Sequence, residues 1–557
     1  MKTQQLVKGL LVIGLGTVLL ALLWAGLCAA DTSSVPRAVA DAVHLTPARG
    51  LPTQTGVLTL PIAAAAYESF YPLPYVQPIP FVAYSPEGLE TVIYIQNPNP
   101  LPITVSLDIF AANVLFPSLS ITIPSYGIHI WSQRELTLSS GIAFSGSAFV
   151  DSGPYPAAYM VRVFDNSGKT EGLMAYTPPP GLSADIIVPA VYKEYGGWCS
   201  ILSIQNTEVY YPTGVDIRFI ATDGTEAHEI STTLPPLTNY FFDTCKDDGI
   251  PSGFHGWVHI SATNEAIAAV VINRNSLNGG AFALTGQPFQ EFLTWGVLPW
   301  VVAGGSKEPL TTEYTLHHLE TTGTSVTATV EYYAFKDGLL DAVDQWALAP
   351  GASITRSLAD VDLPALPWHG VAVFSSTVSL AGYAANSDGH TVAGYGSSAI
   401  LSDIACLPYL SQSAHKQTNI LIWNADMSTR TVGVSFYDLT GNPAYHLEQE
   451  VAPYGAWSLT KEQLGVLGSY FLGSAVITST GSIAVVAVET ISGLPPKDTY
   501  EPNDLPDLAY TIQPGPEYWS YLSHEEDLDW YRIEVTQPAM LTVTSVSYTH
   551  LTLPTKA

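Results

Sequence analysis

The side chains with reactive chemistry are few and scattered through the chain. Three cysteines follow residue 31, namely Cys199, Cys245 and Cys406, and an odd number allows at most one internal bridge. Cys199 and Cys245 fall in one internal repeat, on an expected first strand and just past a mid-repeat strand, so a bridge competes with two free thiols. Cys406 has no partner in the pattern, and a Cys–His catalytic pair needs a positioned base for which nothing argues. His255 and His369 stand at equivalent repeat positions, in Phe254-His255-Gly256 and Trp368-His369-Gly370. A recurring metal site needs recurring ligands, and the other two copies place Ser145 and Leu472 there, which favours loop histidines. His317-His318 reads as part of an alternating strand. His228-Glu229 and His524-Glu525 lack the second histidine of a zinc-protease helix, and no nucleophile elbow or P-loop occurs. Gly394-Tyr395-Gly396-Ser397 begins a linker rather than a phosphate cradle. The expectation is a protein without catalysis.

The elements around these residues are strands. Charged residues make up 12% of the 557, about half the usual share of roughly 25%, while Gly 44, Pro 41 and abundant Val, Thr, Ser and Tyr favour strands and turns. A long helical or coiled-coil protein is excluded. Twenty Lys and Arg against 49 Asp and Glu give a net charge of -29, which repels phosphate backbones and anionic lipid surfaces, so no nucleic-acid partner is expected.

Self-similarity sets the organisation. A proline between apolar residues recurs as Pro80, Pro189, Pro299 and Pro408, in steps of 109, 110 and 109. An asparagine ends a following strand as Asn97, Asn206 and Asn424, and the third copy, TLHHLETTG, lacks it. In copies two to four a turn glycine (Gly224, Gly338, Gly441) precedes a proline (Pro236, Pro350, Pro453) by 12 residues, and that proline precedes a second glycine (Gly256, Gly370, Gly473) by 20. Copy one has Pro124 and Gly146, 22 apart, with a degenerate turn at Ala112-Asn113. About seven strands in roughly 100 residues is the pattern of an immunoglobulin-like antiparallel sandwich. Each unit is long enough to hold its own core, and the Pro- and Gly-rich joints read as spacers, so beads on a string is the expected picture. The repeats are similar to those of secreted and surface proteins of environmental bacteria, which implies a location and a scaffold, not an activity.

The ends differ from the body. Lys2 and Lys8, an apolar run from Gly9 to Leu27 and then Cys28-Ala29-Ala30 read as a secretory signal cut after Ala30, competing with a retained anchor or a lipidated Cys28. No second long apolar run occurs, so no membrane span is expected after cleavage. After the repeats come Asp498-x-Tyr500-Glu501-Pro502-Asn503-Asp504 and Asp527-x-Asp529-Trp530-Tyr531. These resemble the bacterial pre-peptidase C-terminal domain, a small β-sandwich of exported proteins, over residues 498–545, with its closing strands missing. In related collagen-binding domains the matching segment binds calcium. The resemblance thus implies Glu501, Asn503, Asp504, Asp527 and Asp529 as oxygen ligands for calcium, against carboxylates that merely cap turns. The last twelve residues resemble a translated sequencing adapter and are not counted as natural chain.

The resulting expectation is all-β: signal 1–30, linker 31–66, four tandem immunoglobulin-like sandwiches at 67–178, 179–287, 288–397 and 398–493, an incomplete sandwich at 498–545, and an artefact tail at 546–557. Function is expected to be that of an exported scaffold or adhesion protein of the cell surface or extracellular space, with an unknown extracellular protein or polysaccharide as partner. The alternatives are an accessory region of a secreted hydrolase, or a carbohydrate-binding array. The array requires exposed tryptophans among Trp198, Trp257, Trp295 and Trp300, which otherwise fill cores.

Overall fold

Among the described residues, alternating and continuous runs of Val, Ile, Thr, Tyr and Ala form strands, with helical segments no longer than single turns. The computed structural model describes residues 63–68, 76–491, 510–512 and 531–533. Gaps in the long stretch fall at 86–87, 112–113, 133–142, 166–172, 180, 264–266, 306–309, 389–391, 398–400, 414–415 and 469–470.

Copy three shows the plan. Its strands run Trp295–Ala303, Thr311–His318, Val326–Ala334, Leu340–Leu348, Ser353–Ser357, Trp368–Ser375, Leu380–Ser387 and Val392–Gly396. They form two four-stranded antiparallel sheets, in the orders 4-3-6-1 and 5-2-7-8. The other copies repeat these pairings, with the first and second strands also paired at one end so that the two sheets join. The two-sheet sandwich is as expected, with a different strand order. An immunoglobulin domain pairs strands one, two, five and four, and three, six and seven. Here the first, fourth and seventh strands lie in the opposite sheet, and an eighth is added.

The two sheets bury differently, and this decides how the copies associate. Third strands alternate, as in Thr213–Ala221, and show one face to water, and fourth strands such as Pro443–Val451 are exposed along nearly their whole length. Second and seventh strands do neither: Leu89–Gln96 is buried at every position and Ile267–Asn275 at all but one. A strand buried on both faces needs a neighbour on each side of its sheet. The neighbour is the adjacent copy. The core of copy one continues into Ile201, Val270 and Ile272 of copy two, and that of copy two into Tyr383 and Val392 of copy three. Copy three continues into Leu421, Val486 and Val488 of copy four, and copy four into Val92, Tyr94, Ile130 and Met160 of copy one. The last step closes a cycle. The expectation of separate beads is therefore wrong: no copy seals its own interior, and the four fall in one compact unit.

The recurring glycines and prolines lie at these joints. A Cβ on Gly224 would stand 2.5 Å from the Pro350 carbonyl oxygen, on Gly338 2.1 Å from that of Pro453, and on Gly441 2.0 Å from that of Ser125. Each turn glycine thus presses on the proline-led turn of the next copy, with copy four meeting copy one. All three also have positive φ. Ser125, not Pro124, holds the matching place in copy one, because the positive-φ residues next in the chain are Tyr126, Gly351 and Tyr454. Gly441→Ala is expected to cost at least about 2 kcal/mol in urea unfolding. Gly253→Ala, at φ 79 with nothing within 4 Å, should cost only the roughly 1 to 2 kcal/mol of the backbone strain.

The cycle is completed by the N-terminal side. In copies one to three the eighth strand comes directly after the seventh, as Leu173–Tyr176, Ala281–Thr285 and Val392–Gly396. In copy four Phe471–Ile491 serves as both sixth and seventh strand, and the eighth is Ala63–Glu68, paired antiparallel from Ala63 with Ile491 to Glu68 with Val486. Residues 63–66 are thus strand, not linker. The register matches the other copies. Tyr67 lies opposite Ala487, which lies opposite Ile420. Tyr176 lies opposite Val161 and Ile93, and Tyr395 opposite Ala384 and Tyr314. The four eighth strands adjoin one another in a cycle. Beyond the copies, Tyr510–Ile512 pairs parallel with Tyr531–Ile533.

Candidate functional site

The repeat asparagine is a structural clamp. Asn206 Nδ2 lies 3.0 Å from the carbonyls of Leu234 and Pro235 and 3.1 Å from that of Tyr211, while its Oδ1 accepts from the Glu208 amide at 3.0 Å. Asn97 and Asn424 repeat the set. In copy three His318 stands at this place, with Nδ1 3.0 Å from the Ala349 carbonyl oxygen. The preceding residue reaches the neighbouring copy: Gln96 donates to Ala475 O at 3.3 Å and Gln205 to Ala148 O at 3.1 Å. His317 takes the same role in copy three, between Ser353 Oγ at 2.6 Å and the Pro189 carbonyl of copy two.

His317 belongs to a buried cluster at the joint of copies two and three. The Tyr192 and Tyr383 hydroxyls meet at 2.7 Å, and His255 Nε2 lies 3.1 Å from the Tyr383 hydroxyl. The His255 ring stacks on Tyr192 at 4.9 Å and packs tilted against Tyr195 at 4.7 Å between centroids. Burial pushes His255 down to about 4. Burial, reinforced by His255, pushes His317 down to about 3. Both are neutral packing groups at neutral pH. His255 and His369 lie on strands rather than in loops, correcting the expectation, and His317 and His318 are both fully buried rather than alternating.

The joint of copies four and one holds an ion pair. Arg162 Nη2 lies 2.7 Å from Glu489 Oε2, both side chains buried. Glu489 Oε1 accepts from the Tyr409 hydroxyl at 3.0 Å and Ser411 Oγ at 2.9 Å. The guanidinium sits over the Tyr409 ring at 4.4 Å. Burial alone would lower its pKa, but Glu489 together with Tyr409 and Tyr94 outweighs that and holds it above its usual value.

Cys199 and Cys245 are bridged, with Cα atoms 5.7 Å apart across 46 residues. Closing a loop of that length contributes about 4 kcal/mol in the chain-entropy account. Cys406 is free, buried, and its thiol is pushed up to about 12 by burial, so it carries no nucleophilic role at neutral pH. Among the described residues no group of three or more His, Cys, Asp or Glu is placed to hold a metal ion. Glu501, Asn503, Asp504, Asp527 and Asp529 lie outside the described residues.

Of the four tryptophans that a sugar platform would use, Trp198 and Trp295 are half-buried and the other two lie in cores. Trp257 is fully buried, its Nε1 donating to Gly351 O at 3.1 Å, and Trp300 is buried. Trp198 packs against Tyr192 and Phe282, at 5.7 and 5.3 Å. The burial of Trp257 removes one of the two tryptophans of copy two that the carbohydrate-binding array would use, while Trp198 keeps part of its surface exposed. Large exposed apolar side chains recur in the loops between second and third strands of three copies, Tyr210 at 80% exposed, Tyr211 at 67%, Leu101 at 61% and Met427 at 84%, and others such as Leu277 and Leu339 stand in other loops. Sequence reasoning passed over them because each loop differs in residue type.

A scan against protein-family models finds no match to the chain, and no curated protein matches it. Among solved structures, a tetra-tandem repeat in the extending region of a large adhesion protein is 10% identical. That alignment covers 72% of this chain and 90% of that one, with a TM-score of 0.10. A beta-glucuronidase from glycoside hydrolase family 2 is also 10% identical, over 40% of this chain and 24% of that one, with a TM-score of 0.09. Neither superposition bears on function.

Proposed function

We propose that the chain is an exported scaffold without catalysis, whose four fused sandwiches hold the second-to-third-strand loops as a repeated adhesive surface. The observation that supports this reading is how the polar and apolar groups divide. The histidines, the buried ion pair and the thiol spend their interactions on joints and cores, while Tyr210, Tyr211, Leu101 and Met427 stand out in equivalent loops. Exposed tyrosines offer large, rigid contact area at low entropic cost, and repetition on one body adds avidity. The partner class is an extracellular protein or polysaccharide.

The test is attachment. Tyr210→Ser with Tyr211→Ser is expected to lower retention of the purified protein on the producing cells or their matrix several-fold, with thermal unfolding unchanged within about 0.5 kcal/mol. Unaltered retention removes these loops from the reading. Turnover of peptidase or glycosidase substrates by the purified chain would replace the reading with a catalytic one.

A further inference from the structure

We propose that the Ala63–Glu68 strand exchanges between molecules, so that copy four is a docking groove for the closing strand of a second copy of this chain. Three observations converge. Ala63–Glu68 is the one eighth strand not continuous with the copy it completes: it pairs only with Val486–Ile491, more than four hundred residues along the chain. In the other three copies that place is filled by the residues that directly follow the seventh strand, whereas in copy four it is filled from the N-terminal side of the chain. The groove is also generic in form, since its occupant takes the register of Leu173–Tyr176 and Val392–Gly396, with Tyr67 at the position of Tyr176 and Tyr395.

Closure within a chain and closure between chains make the same contacts. What separates them is the effective concentration of the tethered strand, of millimolar order for short connections, and residues 69–75 form that connection here. As chain concentration rises toward that range, exchange competes, and reciprocal exchange gives a closed dimer.

Paired cysteines test this on the full chain. Ala64 lies opposite Thr490. Ala64→Cys and Thr490→Cys, carried on separately tagged chains, are mixed at high concentration under mild oxidation. The expected product is a covalent dimer joining the two different variants, well above what either forms with itself, and weaker when Ala65→Cys replaces Ala64→Cys. The double variant Ala64→Cys/Thr490→Cys, held dilute, should close within one chain. The proposal is overturned if the double variant closes while the mixture gives no excess of the mixed dimer. It is equally overturned if the double variant fails to close, because the strand then does not occupy the groove.

Discussion

Arg162→Met is expected to lower the unfolding free energy by about 3 to 5 kcal/mol, because it leaves Glu489 buried without its cation. The Tyr409 and Ser411 hydroxyls still donate to the carboxylate, but neutral donors do not offset its desolvation. Removing both charges, as Arg162→Met with Glu489→Leu, should recover most of the loss, since an apolar pair of similar volume commonly matches a buried ion pair. Urea unfolding of the two variants checks both statements. A double variant no more stable than the single one would mean that the joint depends on the ion pair itself rather than on burial. The joint is where copy four meets copy one, so the single change should also open the cycle.

Acid provides the second large effect. His317 and His255 have folded pKa values of about 3 and about 4, below the unfolded value near 6.5. Between those limits the unfolded chain binds more protons, so stability rises with pH and is lost as pH falls. Each histidine should cost roughly 1 to 1.5 kcal/mol per pH unit below about 6. Glu313 opposes this, because burial raises its carboxyl and the folded form takes up that proton more readily as pH falls. His317→Gln isolates one contribution. Glutamine already serves at the matching places in copies one and two, as Gln96 and Gln205, so its amide suits the role. The variant should lose no more than about 2 kcal/mol at pH 7, and its slope of stability against pH between 6 and 4 should fall by about one proton. An unchanged slope would show that His317 takes up no proton on unfolding.

Much of the fold was legible in the residues. The period near 109, the strand-rich composition and the fixed glycine–proline spacings mark four related sandwiches, because repeated units keep their turn geometry. The reason for the spacings was not legible. Gly338 and Pro453 belong to different copies and meet only once the copies associate. A signal was nonetheless present: VIYIQN and AIAAVVI are apolar without alternation, the mark of strands covered on both faces, whereas VDIRFIATDG alternates. Reading both kinds as walls of a private core hid the second interface. Ala63–Glu68 was missed because four alanines carry little strand propensity, and only the register with Ile491 explains them. The clamp in copy three was missed because His318 replaces the amide side chain with a ring of different shape. The Cys199–Cys245 bridge needed a distance that spacing alone does not supply.

Because the strand that finishes copy four lies ahead of copy one, the order in which the chain emerges matters to its maturation. The first of these strands to leave the ribosome must wait for residue 491, the last it will pair with, and native contacts this remote in sequence form slowly. Until then copy one stands beside an absent neighbour, with apolar strand faces uncovered. Full protection from protease should therefore arrive in one late step, after the whole array has been made, rather than copy by copy.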